Sequence, residues 1–403
     1  MAIMLKGGSV VAFDPPEVEA RDVVLRGAHD GVVDVSGCLV LPGLGLAHTH
    51  LYSALARGMP GPVGPTRSFR EILERVWWRL DVALDAESLA ASAMVALCDA
   101  ALAGATCVFD HHESPGFIDG SLDVIAEAAE RVGVRIVVCY GATDRHGHRD
   151  AIRGLDECVR MIERVRAAPR GRLGTMLGLH ACFTVTDETL SMAADLARGH
   201  DLGLHVHAAE DACDAGAIER LGRFGLLGPR TLLAHAVHAT SSEKQLVRAS
   251  GAFVAHNPRS NMQNSVGQAR LADLAGSVAL GTDGMDGDLF AEARAAHLGG
   301  RVALGPEGGV DAVGMLAAGA RLAEAHLGPV GSDAVVVEYD PPTPLDRTNV
   351  AGHLLFGITA AHVRDVFVDG APVVRDRRLV RVDAAEIAAR GREQALALWR
   401  RMS

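Results

Sequence analysis

From about residue 88 onward, short runs of nearly continuous apolar residues alternate with longer stretches whose apolar positions recur every three or four residues. The first kind reads as strand and the second as amphipathic helix. SLAASAMVALCDAALAG predicts a helix ending at Gly104, and ATCVFDHH predicts the strand after it. The pair recurs as SLDVIAEAAERVG with VRIVVCY, AIRGLDECVRMIERVRAA with LGTMLGLHAC, and DETLSMAADLARGH with LGLHVHAA. TLLAHAVH, GAFVAHNP and GSVALGTDG add three strands, with the helix SSEKQLVRASG between the first two. CLVLPGLGLAHTH, upstream, brings the predicted strands to eight. Strands apolar on both faces need cover on both faces, which a parallel sheet interleaved with helices provides. Eight such strands predict an α/β fold, a (β/α)8 TIM barrel, with a doubly wound open sheet as the alternative.

The ends of the chain follow another rhythm. GSVVAF and DVVLRG near the start, and DAVVVEYDPPTPL and VRDVFVDGAPVVRDRRLV near the end, are short strand patterns broken by turn residues. They predict a small β-sandwich built from both termini, residues 1–42 with 330–382, beside a barrel over 43–329. DAAEIAARGREQALALWRRM predicts a final helix over 383–403. A 49% hydrophobic and 22% charged composition suits a globular protein with a large core. The net charge of -11 speaks against a nucleic-acid or acidic-membrane partner. No apolar run approaches the roughly 18 residues of a membrane span, and the N-terminal stretch lacks the signature of a signal peptide. Seven dispersed cysteines without a C-x-x-C pair predict reduced thiols in a cytoplasmic protein. They also exclude the cysteine-ligated zinc of nucleotide deaminases, which needs a P-C-x-x-C element. The expected partner is a small molecule, and a homodimer is left open.

In such a barrel the chemistry lies at the C-terminal ends of the strands. Here those ends carry His48 and His50; Asp110, His111 and His112; His180; His205 and His207, followed by Glu210; His235 and His238; His256 and Asn257; and Asp283. His48 and His50 are two apart and face one side of their strand. His207 and Asp283 can complete a set of three imidazoles and one carboxylate, the donors that zinc or ferrous iron use in hydrolysis. A single strand histidine more often packs in a core; the convergence of four strand ends is what favours a metal site. His205 reads as a packing residue beneath that set. His111, His112, His238 and His256 are open between pocket lining and structural hydrogen bonding, and Trp77 and Trp78 read as helix packing, with a pocket wall as the alternative. The chain has only two lysines, Lys6 and Lys244, neither on a predicted barrel strand, so a bridging lysine carbamate has no candidate.

PGLGLAHTHLYSALARG, HVHAAED, LLAHAVH, HNPRSN and LGTDG, in that order, resemble the deaminase and chlorohydrolase branch of the metal-dependent amidohydrolase superfamily. DHHESPGFIDGSLDVI, GLHACFTVTDETL and LGTDGMDGDLFAEAR are similar to the SsnA-type aminohydrolases. The resemblance covers almost the whole chain. It implies metal ligands at His48, His50, His207 and Asp283, and one divalent ion, zinc ahead of iron. It implies Glu210 as catalytic acid and base, with His235 and Asp283 as its catalytic partners. It implies substrate contacts at His180 and Arg57, and His112, His238 and Asn261 complete that expected set. The family's usual Gly-x-Ala-Pro after HNPRSN is replaced by VGQAR, with Arg270 in place of proline. The expected reaction is hydrolytic deamination of a purine-, pterin- or pyrimidine-like heterocycle. Ring opening of a cyclic amide or amidine, dehalogenation, and an inactive barrel used for binding are the alternatives. RGMPGPVGPTRSF after the first strand is open between a pocket lid and an ordinary surface connection.

Overall fold

The structure, a computed structural model, describes residues 1–274, 276–306 and 310–402. Eight parallel strands form its centre: β1 (Leu44–Thr49), β2 (Ala105–His112), β3 (Arg135–Ala142), β4 (Leu177–Ala181), β5 (Leu204–Ala208), β6 (Leu232–His235), β7 (Phe253–His256) and β8 (Val278–Leu280). Each pairs in parallel with the next, and a short strand, Leu173–Thr175, adds to β3. The ring closes where Asp283, just past β8, bridges Thr49 of β1. Thr282 N donates to His48 O (2.7 Å) and His50 N to Asp283 O (3.1 Å) across the same seam. The fold is a (β/α)8 TIM barrel.

The strands are apolar because both faces are covered: every residue of β1, β2 and β3 is buried. The helices between them start at side-chain caps. Asp85 and Ser88 form a reciprocal capping box before Ala86–Leu102, and Thr240 and Glu243 another before Ser241–Ser250. The expected helix after β3 spans His148–Ala167, and that after β4 spans Asp187–His200.

CLVLPGLGLAHTH, read as one strand, is two. Cys38–Pro42 pairs antiparallel with Ala334–Glu338 in a seven-stranded sheet, and β1 begins at Leu44. Pro42 lacks an amide hydrogen to continue a ladder. At Gly43 a Cβ would lie 2.5 Å from Thr106 Oγ1 and 2.6 Å from Asp333 Cβ, so only glycine fits the crossing. The seven-stranded sheet draws strands from both ends of the chain. A three-stranded sheet of Val23–Arg26, Ala2–Lys6 and Gly31–Asp34 accompanies it. Ile3, Leu5, Leu25, Val40, Val336 and Phe367 fill the core between the two sheets. Arg135, at the foot of β3, is buried and reaches Asp333 with two bonds (2.9 and 2.8 Å), tying the barrel to these sheets. The final helix, Ala384–Arg401, packs beside Ala86–Leu102, with Trp399 Nε1 donating to Leu55 O (2.9 Å). Among the described residues no helix is long and apolar enough to cross a membrane.

Candidate active site

The strand ends open into a cleft of about 620 Å³, including the solvent at its mouth. His50, His180, His207, Glu210 and Asp283 line it, under a wall of Phe69, Leu73, Trp77, Trp78 and Phe183. The helix carrying the two tryptophans widens to a π-turn over Leu73–Trp77, and both indoles face the cleft; the packing role expected of them is thus a wall role as well.

Hydrogen bonds fix the imidazoles. His50 Nδ1 donates to His111 O (2.6 Å) and His207 Nδ1 to His180 O (2.5 Å). A carbonyl only accepts, so each ring carries its hydrogen on Nδ1 and presents a bare Nε2 lone pair when neutral. Those two Nε2 atoms stand 3.1 Å apart, with Asp283 Oδ1 2.9 Å from His50 and 3.3 Å from His48 Nε2. Ring nitrogens of His48, His207 and His235 and an oxygen of Asp283 lie within 4.8 Å of one another. Lone pairs and a carboxylate pressed together in this way repel unless a cation sits among them, so the donor set fits a divalent ion. Without one, a proton must serve. Burial opposes the charge on His50, but the hydrogen bond and charge of Asp283 outweigh it and lift that imidazole to about 9. Burial holds His48 down to about 3 and His207 well below its ordinary range.

Below the cluster, His48 Nδ1 and His205 Nε2 share a hydrogen at 2.9 Å, which gives the packing residue beneath the set a definite partner. Gly281 makes the close approach of β8 to β1 feasible: a Cβ there would meet His48 O at 2.9 Å and Asn257 Oδ1 at 2.2 Å. The backbone is strained where side chains are aimed inward, with positive φ at Ala209, His235, Ala236 and Asp283.

The HNPRSN stretch supports the cluster from one side. Asn261 Oδ1 accepts from His235 Nδ1 (2.8 Å), leaving His235 Nε2 buried and without a hydrogen-bond partner, 3.6 Å from Glu210 Oε2. Ser260 Oγ donates to Asp283 Oδ2, and Asn264 Nδ2 donates to Ser260 Oγ (3.3 Å). Burial, then the charge of Asp283, pushes the Glu210 carboxyl well above the usual range, which favours its protonated form. Asp283 moves the other way: hydrogen bonds from His48 and His50 outweigh burial and keep it ionised.

Not every expected contact reaches the cleft. Arg57 turns to the surface and pairs with Asp99 (2.8 Å), because the short helical turn after β1 carries it away from the barrel axis. His112 is buried behind the rim, its Nε2 against Ser114 Oγ (2.7 Å) between Tyr52 and Tyr140. His238 Nε2 donates to Val266 O (2.9 Å) and ties a loop. Asn261 acts on His235. Three residues given no role by the sequence stand together on the opposite side, with Glu113 alone lining the cleft: Glu113 Oε2 accepts from Arg145 Nη2 (2.8 Å), which also donates to Asp81 (3.1 Å). Burial outweighs Arg145 there, and with the charge of Asp81 it lifts Glu113 to about 8. The acidic residue straight after DHH was the one available signal.

The amidohydrolase family model matches residues 39–332. A 5'-deoxyadenosine deaminase of Methanosarcina mazei is 28% identical over 99% of this chain and 95% of its own. A 5-methylthioadenosine/S-adenosylhomocysteine deaminase of Haloarcula marismortui is 30% identical over 98% of this chain and 93% of its own. An adenosine deaminase structure from Xanthomonas campestris, with bound zinc, superposes with a TM-score of 0.82 at 22% identity, covering 98% of each chain. With the barrel and most of its length matched in this way, the chain belongs to the amidohydrolase family.

Proposed function

We propose that this chain is a metal-dependent aminohydrolase that removes ammonia from an amino-substituted, purine-like N-heterocycle. The observation that carries the reading is the pair of facing Nε2 atoms of His50 and His207 beside Asp283, with the buried Glu210 alongside, 3.6 Å from His235 Nε2. The adenosine-type deaminases among the relatives support the substrate class, and the zinc of the Xanthomonas structure supports zinc as the ion. Seven free cysteines support a reducing, cytoplasmic setting.

His48, His50, His207 and Asp283 would hold the ion. When bound, a divalent ion lowers the pKa of water from about 16 to about 7 and so supplies a nucleophile at neutral pH. The residues do the rest. Glu210 gives its proton to the ring nitrogen beside the amino-bearing carbon, which makes that carbon more electrophilic. Asp283 Oδ1 takes the proton of the attacking water. His235, fixed by Asn261, orients the attacking oxygen through Nε2. Ser260 steadies Asp283. Glu210 then withdraws the ring-nitrogen proton and passes it to the departing amine. The proton held by Asp283 returns to Glu210 as ammonia leaves, so water has added, ammonia has departed and both carboxyls end as they began. Proton transfer of this kind contributes roughly 10²–10⁴-fold. The Trp77 and Trp78 wall excludes water from the apolar side of the cleft.

The test is a panel of amino-substituted heterocycles against zinc-reconstituted protein, read as ammonia release. Ammonia from a purine-like member, abolished by Glu210→Gln, supports the reading. Ring opening without ammonia, or turnover that survives Glu210→Gln, sinks it.

A further inference from the structure

Two glutamates flank the histidine cluster, and the reaction uses one. Glu210 stands by His235; Glu113 stands by His180 and His111, with its Oε1 3.8 Å from His180 Nε2 and 3.7 Å from His111 Nδ1. All three of these residues are buried. Their tautomers follow from their partners. Thr184 Oγ1 donates to Ala181 O (2.9 Å) and therefore accepts from His180 Nδ1 (2.9 Å), leaving His180 Nε2 as an acceptor. His111 Nε2 donates to Leu179 O (3.1 Å), leaving His111 Nδ1 as an acceptor with no hydrogen-bond partner. Arg145 occupies Glu113 Oε2 from behind, stacked on Trp78 (4.4 Å), and does not itself line the cleft. At 3.8 and 3.7 Å neither ring hydrogen-bonds to the carboxyl, so two acceptor nitrogens converge on Glu113, which keeps an oxygen free to accept. Arg145 faces two buried carboxyls, Asp81 and Glu113, and balances one. Among the described residues, the side chains that line the cleft include Glu113, Glu210, Asp211, Asp214 and Asp283, but no lysine or arginine.

We infer that Glu113, with His180, is the second anchor of the substrate: it takes an N–H or O–H donor of a neutral or cationic heterocycle, and the cleft rejects phosphorylated ones. The inference rests on the deaminase reading for the position of the scissile amine. A buried acceptor left without its donor is unfavourable, so a ligand that brings the donor is preferred over one that lacks it. The donor has two sources, an amino group of the ring or the vicinal hydroxyls of an attached sugar.

Matched probes on zinc-loaded protein separate these: 2,6-diaminopurine against adenine for the ring, adenosine against 2',3'-dideoxyadenosine for the sugar, and adenosine 5'-phosphate for the anion. The donor-bearing member of one pair is expected to show kcat/KM about 10- to 100-fold higher. Glu113→Gln should pull that ratio toward one, and the pair that responds names the source. The phosphate is expected to react at least about 100-fold more slowly than adenosine. Ratios within about twofold in both pairs, a ratio indifferent to Glu113→Gln, or comparable turnover of the phosphate overturn the inference. So does a second zinc equivalent lost in Glu113→Gln, which would make these acceptors a metal site. Should the variant fail to fold, the wild-type ratios decide. If no probe releases ammonia, calorimetric titration of the same pairs decides: donor-dependent binding upholds the anchor while the deaminase reading falls, and absence of binding by every probe overturns both.

Discussion

The rim of the barrel and the two sheets at its foot are both made of strands, yet they treat polar groups in opposite ways. Between the sheets, Ile3, Leu5, Leu25, Val336 and Phe367 pack as one apolar cluster. The ion pair at their border, Arg135 with Asp333, has both partners matched. At the rim, His235 Nε2, His111 Nδ1, His112 Nδ1, His256 Nδ1 and Asp110 Oδ2 are buried without hydrogen-bond partners. Positive φ at Asp369, Asp376 and Arg377 belongs to turns of the sheets, whereas at Ala209, His235 and Ala236 it falls on buried residues. Local rules broken together at one place mark where function is drawn from a fold stabilised elsewhere.

That contrast can be broken by substitution. The largest effect expected is on Glu210→Gln: kcat for ammonia release falls by roughly 10²–10⁴-fold. Its melting midpoint by calorimetry should stay at or above that of the wild type, because a buried acid beside Asp283 is replaced by a neutral amide. Loss of both activity and stability would mean that the rim also holds the fold. Asp333→Ala leaves Arg135 buried with only the exposed Asp369, at 3.7 Å, as counter-charge and is expected to cost about 3 kcal/mol in urea denaturation. The kcat of the folded protein should be unchanged. Phe367→Leu, between the sheets, should cost about 1–1.5 kcal/mol by the same measurement.

Titration sharpens the comparison further. His326 packs on Phe109 with an unpartnered Nε2, outside the cleft, and burial lowers it to about 4. The unfolded chain takes up this proton near pH 6.5 and the folded chain near 4. Its contribution is therefore complete above 6.5 and is lost as pH falls toward 4. The stability of the wild type relative to His326→Phe should decline by at most about 1.4 kcal/mol per pH unit across that window. A flat difference would show that this imidazole is hydrated in the folded state.

The barrel could be read from the sequence because each strand is apolar throughout and each helix is amphipathic, properties that need no long-range information. The histidines of β1 and β5 were visible for the same reason: alternation along a strand fixes their side. Partnerships across the chain were not visible. Glu113 and Arg145 are 32 residues apart, and Asp81 and Arg145 are 64 apart, so only the closed barrel joins them. Arg57 was placed by the resemblance alone, but a helical turn reverses direction within a few residues and sends it to Asp99. The break after Pro42 was hidden inside an unbroken apolar run, since hydrophobicity does not distinguish one buried sheet from another.

Thr49 and Asp283 join the first and last barrel strands, and the residues on either side of that joint are His48 and His50. Closing the cylinder and gathering the donors are therefore a single event. An ion held there would act as a rivet between the two ends of the barrel. Its removal should be felt along the seam, as faster exchange of the amide hydrogens of His50, Thr282 and Asp283, while the amides between β2 and β3 keep their protection.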